Sequence, residues 1–207
     1  IPVLALAALR EHEIRYFVEF TEARAYVTLE FHDGNDLRAL AETLKASIPT
    51  LEHTVVLPRD SWGADIDDLP AAGALAHERR SLPSDVAFLQ LSGGTTGQPK
   101  VIPHTHEDYL CSVREAVRTG GVTHDTVQLA VLPMSHSFAM RSPGYLGALS
   151  QGATVVLAPN GSPDITFPLI QEHRVTEASI VPPLALTWLN VSIKDRFDLS
   201  SLRILRV

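Results

Sequence analysis

Short apolar runs alternate along this chain with segments whose apolar residues recur at helical spacing. The apolar runs predict strands at 26–29, 54–57, 86–91, 127–132, 153–158, 178–181 and 203–207. Helical spacing predicts helices at 10–20, 36–46, 142–150, 165–173 and 183–191. Because strands and helices follow each other in turn, the sequence predicts an α/β fold with largely parallel sheets flanked by helices.

One further helix is predicted by its ends as well as by its periodicity. Thr105 and Asp108 have the spacing of an N-cap and the third helical residue, whose side chains bond to each other's backbone. Two glycines follow the apolar stripe at Gly120 and Gly121, where a left-handed residue closes many helices. We expect this helix to start after Thr105 and to end at the glycine pair.

The chain divides by composition near residue 84. Residues 58–84 are rich in proline, glycine, alanine and acidic side chains and have no clear period, which indicates an irregular connection. We therefore expect a partial N-terminal subdomain over 1–84 and a second α/β subdomain over 85–207. The chain starts without methionine and ends within an apolar run, which suggests a piece of a longer polypeptide.

Composition excludes several classes of protein. The formal charge of −7 argues against a nucleic-acid footprint, which would be basic. No stretch has the ~20 apolar residues of a membrane span, and the apolar start has no basic leader of a signal peptide. A single cysteine, Cys111, excludes an internal disulfide and suits the cytoplasm. The sequence therefore predicts a cytoplasmic protein with neither nucleic acid nor membrane as a partner.

The candidate chemistry is concentrated in one loop after the 86–91 run. Residues 92–100 read SGGTTGQPK, with three hydroxyl side chains, three glycines and a terminal lysine. Small residues let the backbone approach a ligand closely, and N–H groups, hydroxyls and Lys100 all attract anions. This loop therefore predicts a polyphosphate-binding site.

Two common nucleotide-binding motifs do not fit this loop. Pro99 stands where the P-loop of ordinary NTPases needs its second glycine, and Val101 replaces the Ser or Thr that holds magnesium. Gly93 and Gly94 are adjacent, which excludes the G-x-G-x-x-G spacing of dinucleotide-binding folds. A flexible turn between two strands is the simplest alternative, but it does not explain the density of small and hydroxyl residues.

The loop resembles the phosphate-binding signature of the adenylate-forming superfamily, which includes acyl- and aryl-CoA synthetases, nonribosomal peptide adenylation domains and luciferases. The resemblance continues through VIPHTHEDY at 101–109, LPMSH at 132–136, SPG at 142–144, GATVVL at 152–157, FPLI at 167–170 and VPPL at 181–184. These motifs are most similar to stand-alone aryl-acid AMP ligases acting on 2,3-dihydroxybenzoate or salicylate in siderophore or other nonribosomal peptide synthesis. The chain would then form part of the large N-terminal domain, and the C-terminal domain would be absent from it.

The resemblance implies a reaction and a set of site residues. An aryl carboxylic acid would react with ATP and Mg²⁺ to give aryl-AMP and pyrophosphate, and the aryl group would pass to the phosphopantetheine thiol of an aryl or peptidyl carrier protein. Lys100 and Thr95 would be catalytic. The family pattern places the nucleotide phosphates against Ser92, Gly93, Gly94, Thr95, Thr96, Gly97 and Lys100. It places the aryl acid against His136, Ser137, Phe138 and Ser142.

Three positions depart from the dihydroxybenzoate pattern. Ser137 stands where that pattern has Asn, Phe138 where it has Tyr, and Arg141 where it has Ser. The shorter serine leaves extra room beside the substrate carboxylate, so we expect an acid that differs from 2,3-dihydroxybenzoate. The sequence leaves the exact acid, the carrier protein, the pathway product and the oligomeric state open.

Alternatives remain at the level of sequence. An aryl-CoA synthetase shares the first half-reaction and differs in its thiol acceptor, whereas a fragment of this length would bind nucleotide or aryl acid without turnover. His136 is a candidate for positioning or gating the substrate more than for general-base catalysis. His104 and His106 have a spacing compatible with zinc, but no cysteine or carboxylate motif completes a site, so no metal ligand is predicted.

Overall fold

The structure is a computed structural model that describes residues 1–58, 81–92 and 100–207. The chain forms two compact units, one comprising Ala5–Leu82 and the other Ile1–Leu4 with Pro83–Val207. Most of the irregular connection predicted for 58–84 lies outside the described residues.

The described residues contain each predicted strand and helix in the predicted order, with further short elements between them. The strands are β1 (Val3–Leu4), β2 (Ala25–Leu29), β3 (Phe31–His32), β4 (Asn35–Asp36), β5 (His53–Leu57), β6 (Val86–Leu91), β7 (Val101–Thr105), β8 (Val127–Ala130), β9 (Thr154–Leu157), β10 (Glu177–Ser179) and β11 (Ile204–Arg206). The helices are α1 (Glu11–Phe20), α2 (Leu37–Ser47), α3 (His106–Gly120), α4 (Ser137–Arg141), α5 (Gly144–Ser150), α6 (Pro163–His173) and α7 (Pro182–Asn190), followed by a 3₁₀ helix at Ser192–Arg196.

The smaller unit is built on one parallel strand pair. Strands β2 and β5 pair in parallel, with α2 between them in the chain, as a βαβ connection requires. The Asp36 carboxylate accepts from the Arg38 and Ala39 N–H groups and so caps α2. A buried apolar cluster stabilises the unit and consists of Ile14, Val18, Leu44, Ile48 and Leu51.

The larger unit contains two sheets. In the first, β6 lies between β1, which is parallel to it, and β7, which is antiparallel. In the second, the order is β11-β10-β8-β9 and all pairs are parallel. The predicted α/β class with largely parallel pairing is therefore confirmed.

The second sheet buries an apolar face and a polar face. Its apolar core comprises Leu129, Val131, Val156, Phe167, Ile170, Val175, Ala178, Ile180 and Trp188. Between these residues the strands carry Gln128, Glu177 and Ser179, which are also buried. The period of two in each strand explains this alternation, because successive side chains point to opposite faces.

Two local predictions need correction. Strand β7 is not predicted, because Pro103 argues against a strand, yet an edge strand tolerates proline. The helix predicted at 142–150 begins at Gly144 and is preceded by the separate α4. Pro143 explains the break, because proline lacks an N–H and disfavours helical backbone at the residue before it. The Ser142–Pro143 peptide bond is cis.

Candidate functional site

The two ends of the phosphate-loop candidate, residues 92–100, bond directly to each other. The Ser92 N–H donates to the Lys100 carbonyl at 2.9 Å, and the Lys100 N–H donates to the Ser92 Oγ at 3.1 Å. The Leu91–Val101 pair of the β6–β7 ladder lies just outside these two bonds. The structure thus brings Ser92 and Lys100 together as the closed neck of a hairpin, while Gly93, Gly94, Thr95, Thr96 and Gly97 lie outside the described residues.

Lys100 provides positive charge at this neck. The residue is exposed, and its backbone is held by Ser92 independently of its side chain. In the part of the chain that the structure describes, its ammonium group forms no ion pair. A cation that forms no ion pair with the described residues is available to an anionic ligand.

The four residues predicted to contact the acid lie on α4 and at its two ends. His136 is the N-cap, and its Nδ1 accepts from the Phe138 N–H at 3.2 Å. Accepting at Nδ1 places the proton of the neutral ring on Nε2, which can donate to a ligand. His136 is exposed, while Ser137, Phe138 and Ser142 are partly buried, so the structure brings all four to one short surface segment.

Two buried contacts fix this segment, which we call the acid segment and define as residues 135–142. The Gln90 side chain on β6 donates from Nε2 to the Ser135 carbonyl at 3.2 Å and contacts the Met140 Sδ at 3.6 Å. Arg141 lies over the Tyr109 ring of α3, with its guanidinium carbon 5.5 Å from the ring centroid. Gln90 was not predicted as a site residue, because its only signal in the sequence is that it is a polar residue within an apolar strand.

Tyr109 connects α3 to the same strand. Its ring packs edge-on against Phe88 of β6 at 4.7 Å between centroids and lies 5.0 Å from the ring of His104. Burial raises the pKa of Tyr109 to about 12, with nearby Arg141 acting in the opposite direction. The hydroxyl therefore stays protonated at neutral pH and adds no charge behind the acid segment.

The start of α3 confirms the predicted capping residues. The Thr105 N–H donates to the Asp108 carboxylate at 2.8 Å, and the Asp108 N–H donates to the Thr105 Oγ1 at 3.1 Å. The Thr105 N–H lowers the pKa of Asp108, and His104 contributes through its 3.2 Å contact. At the other end, Gly121 closes the helix in the left-handed conformation. His104 thus contacts a cap carboxylate, and the described residues contain no group of three or more potential metal ligands.

A buried ion pair lies on the polar face of the second sheet. Arg206 Nη2 lies 3.0 Å from Glu177 Oε2 and also donates to the Gly120 carbonyl at the end of α3. Glu177 is only 3% exposed, and its second oxygen has no hydrogen-bond partner among the described residues. Burial raises the pKa of Glu177, although Arg206 opposes the shift.

This raised pKa predicts a pH dependence of stability. Because the folded protein holds the Glu177 proton more tightly than the unfolded chain, the contribution of this group is full below pH 4.5 and is lost as the pH rises. We expect the unfolding free energy of the wild type minus that of Glu177→Gln to fall from pH 4.5 towards neutrality. Each unit of pKa difference corresponds to about 1.4 kcal/mol. Urea unfolding of both whole proteins across this range measures the difference.

The exposed Glu42 on α2 provides the matched control, because Glu42→Gln removes a carboxylate without removing a buried charge. Comparing the two variants over the same range separates the effect of burying a carboxylate from the effect of merely removing one. A difference for Glu177→Gln that grows with pH would contradict the prediction, since it would mean that pairing with Arg206 outweighs burial.

Comparisons with known proteins give one consistent picture. A family model described as AMP-binding enzyme matches residues 1–207. The chain is 45% identical over 207 residues to the 2,3-dihydroxybenzoate-AMP ligase of Bacillus subtilis, covering 100% of this chain and 38% of that protein. It is 36% identical over 211 residues to the salicyl-AMP ligase / salicyl-S-ArCP synthetase of Mycobacterium tuberculosis, covering 100% of this chain and 37% of that protein.

Among solved structures, the anthranilate CoA ligase AuaEII in complex with anthranoyl-AMP matches with a TM-score of 0.81 and 25% identity. The match covers 99% of this chain and 40% of that one. The chain thus spans about 38% of the length of the first curated relative it matches.

In the described ranges, every helix is too short or too polar to cross a membrane.

Proposed function

This chain belongs to the AMP-binding enzyme family, and on that premise we propose that the whole protein is an aryl-acid AMP ligase. It activates an aryl carboxylic acid with ATP and releases pyrophosphate. It then transfers the aryl group to the phosphopantetheine thiol of a carrier protein in siderophore or other nonribosomal peptide synthesis. The observation that carries the proposal is the closed Ser92–Lys100 neck, which Gln90 connects to the acid segment.

The first half-reaction joins the two parts of this site. A carboxylate oxygen of the acid attacks the α-phosphorus of ATP, and an O–P bond forms. The bond from that phosphorus to the bridging oxygen breaks, and pyrophosphate leaves with the electron pair. This chemistry depends on alignment and charge neutralisation more than on covalent participation of the protein.

The phosphate loop supplies charge neutralisation in this proposal. Thr95 and Lys100 are its catalytic residues, and the loop residues from Ser92 to Gly97 bind the phosphates of the nucleotide. Mg²⁺ enters with ATP as part of the substrate and neutralises further phosphate charge. Lys100 supports this assignment because its ammonium group is exposed at the neck and has no ion-pair partner in the described ranges.

The acid segment binds the aryl ring. Phe138 supplies an aromatic wall, Ser137 and Ser142 supply short hydroxyls, and His136 directs an Nε2 donor towards the ligand. Partial exposure of these side chains supports a binding role, because a ligand can reach them without unfolding the segment. His136 is a positioning group here, since its second nitrogen is occupied in capping α4.

In the second half-reaction, the thiolate sulfur attacks the acyl carbon and AMP leaves. The Mycobacterium tuberculosis relative is a salicyl-S-ArCP synthetase as well as a salicyl-AMP ligase, which supports a carrier protein as the acceptor. The anthranilate CoA ligase AuaEII supports the second candidate, an aryl-CoA synthetase. We place the protein in the cytoplasm, where ATP and carrier proteins meet, and assign it neither a nucleic acid nor a membrane as partner.

The domain assignment is also a proposal. Residues 1–84 form a partial N-terminal subdomain, and residues 85–207 form a subdomain with the phosphate loop and part of the acid pocket. The C-terminal domain lies in the remainder of the whole protein. The isolated 207 residues would bind nucleotide or aryl acid without turnover.

The test is ATP–pyrophosphate exchange by the whole protein with a panel of benzoates and heteroaryl acids. We expect exchange with hydroxybenzoate-like acids but no preference for 2,3-dihydroxybenzoate, because Ser137, Phe138 and Arg141 depart from the pattern for that acid. Supplying either a holo carrier protein or CoA then identifies the acceptor. The 207-residue piece serves as the negative control.

Two results would contradict these proposals separately. Absence of exchange with every acid would overturn the adenylation proposal. Clear preference for 2,3-dihydroxybenzoate would retain adenylation but overturn the interpretation of the three departing positions.

A further inference from the structure

We propose that Gln90 is a positioning residue that fixes the acid segment relative to the phosphate loop. The inference rests on the proposed function and deepens it, because it assigns a role to a buried residue that is not among the proposed substrate contacts. Its side chain is 7% exposed, so its amide must find partners inside the protein.

Two partners of the Gln90 amide lie at the two ends of α4, and the same side chain also lies close enough to the Tyr109 hydroxyl to lower the pKa of that group. Its Nε2 donates to the carbonyl of Ser135, immediately before the N-cap His136. The same nitrogen contacts the sulfur of Met140, the fourth residue of the helix. The buried Gln90 amide thus fixes the position of the residue before the N-cap of α4 and the packing of the buried side of this helix against β6.

The backbone of Gln90 is held by strand pairing on both sides. Gln90 lies in the central strand of the first sheet, where it pairs with Leu4 of β1 and Ile102 of β7. Ser92, one half of the loop neck, follows two residues later in the chain. Strand β6 therefore leads into Ser92 of the loop neck and also carries Gln90, the anchor of the acid segment.

Adenylation needs this link because the acid oxygen and the α-phosphorus must meet in line. Reacting atoms need to approach to about 3–3.5 Å, and a misplacement of about 1 Å can cost a factor of about 10². Loss of the Gln90 donor leaves the Ser135 carbonyl without this bond and releases the start of α4. The loop neck retains its own two hydrogen bonds, so binding of ATP is preserved.

The test is Gln90→Met in the whole protein, assayed by pyrophosphate exchange with the preferred acid. Methionine keeps an unbranched chain of similar length and removes the amide donor. We expect kcat/KM for the aryl acid to fall about 10- to 100-fold, while KM for ATP changes less than about threefold. Gln90→Leu also lacks the donor and carries no charge, so it should show the same split and provides a second variant if methionine prevents folding.

Gln128→Met is the matched control. Gln128 is also a buried glutamine on a strand and is 2% exposed. Its amide donates to the Leu129 carbonyl and forms no hydrogen bond with the acid segment, residues 135–142. We expect both kinetic constants of Gln128→Met to stay within about threefold of the wild type, whatever its effect on Tm.

The outcomes separate the two proposals. Two results would contradict the positioning role while leaving the proposed function intact, provided that the wild type exchanges pyrophosphate. In one, the Gln90 variants keep kinetic constants like those of Gln128→Met. In the other, they are impaired to the same degree towards ATP and towards the aryl acid. If the wild type exchanges with no acid, both proposals are overturned together.

Discussion

Replacing Lys100 with methionine is expected to lower kcat/KM for pyrophosphate exchange by the whole protein by a factor of about 10² to 10³. Removing one preorganised donor to a developing charge typically costs this much, about 3–4 kcal/mol. Methionine keeps most of the aliphatic stem, so the change is confined to the charge. Steady-state exchange with the preferred acid measures the loss of activity, and a thermal unfolding curve measures any change in stability.

The structure indicates why this substitution should leave the loop neck intact. The two hydrogen bonds between Ser92 and Lys100 use the backbone N–H and carbonyl of Lys100, which methionine retains. We therefore expect Tm to be unchanged and the activity loss to reflect the missing cation. Lys100→Arg should recover part of the rate, because it restores charge with a different geometry.

Lys45 offers a matched control on α2, where its side chain is exposed. Lys45→Met removes the same charge from the protein surface and should leave exchange within about twofold of the wild type. Lys100→Met with activity within about threefold of the wild type would show that the lysine does not act on the leaving group.

The second large effect is expected from Gly144→Ala at the start of α5. Gly144 has φ of +57°, and a Cβ at this position would lie 2.1 Å from the Ala139 carbonyl oxygen of α4. The contact is with backbone, so no side-chain rotation relieves it. We expect a loss of more than about 4 kcal/mol of stability, or displacement of α4 with loss of acid-dependent exchange.

Gly152 provides a control with the same backbone conformation and no obstacle. Its φ is +68°, and among the described residues no atom beyond its chain neighbours lies within 4 Å of the added Cβ. Gly152→Ala should cost only the strain of a left-handed alanine, about 1–2 kcal/mol, and should keep its activity. Thermal unfolding and exchange assays of the two variants compare them directly. Equal Tm values for both variants would show that α4 and α5 are not packed as tightly as the structure has them.

Elements with strong local signals were predictable from sequence. The apolar run at 86–91 predicts β6 with the bounds that the structure gives, and Thr105 and Gly121 define the ends of α3. These signals succeed because a strand between turn residues and a capped helix depend on neighbours within a few positions.

Features that depend on distant partners were not predictable in this way. Strand β7 exists because it pairs with β6, and Pro103 alone argues against it. Gln90 and Ser135 are 45 residues apart, and Glu177 and Arg206 are 29 apart. For both of these pairs the sequence shows a polar residue in an apolar segment, but it does not indicate which group forms a hydrogen bond with that residue.

By itself, the sequence determined the α/β class and the family to which the chain belongs, because each depends on local periodicity or on contiguous motifs. The tertiary structure alone decided that α4 stands apart from α5, that β6 connects the loop neck to the acid segment, and that Glu177 is buried beside Arg206. The physical reason is that a buried polar group must be satisfied by whichever group the fold brings within hydrogen-bonding distance, however far away it lies in the chain.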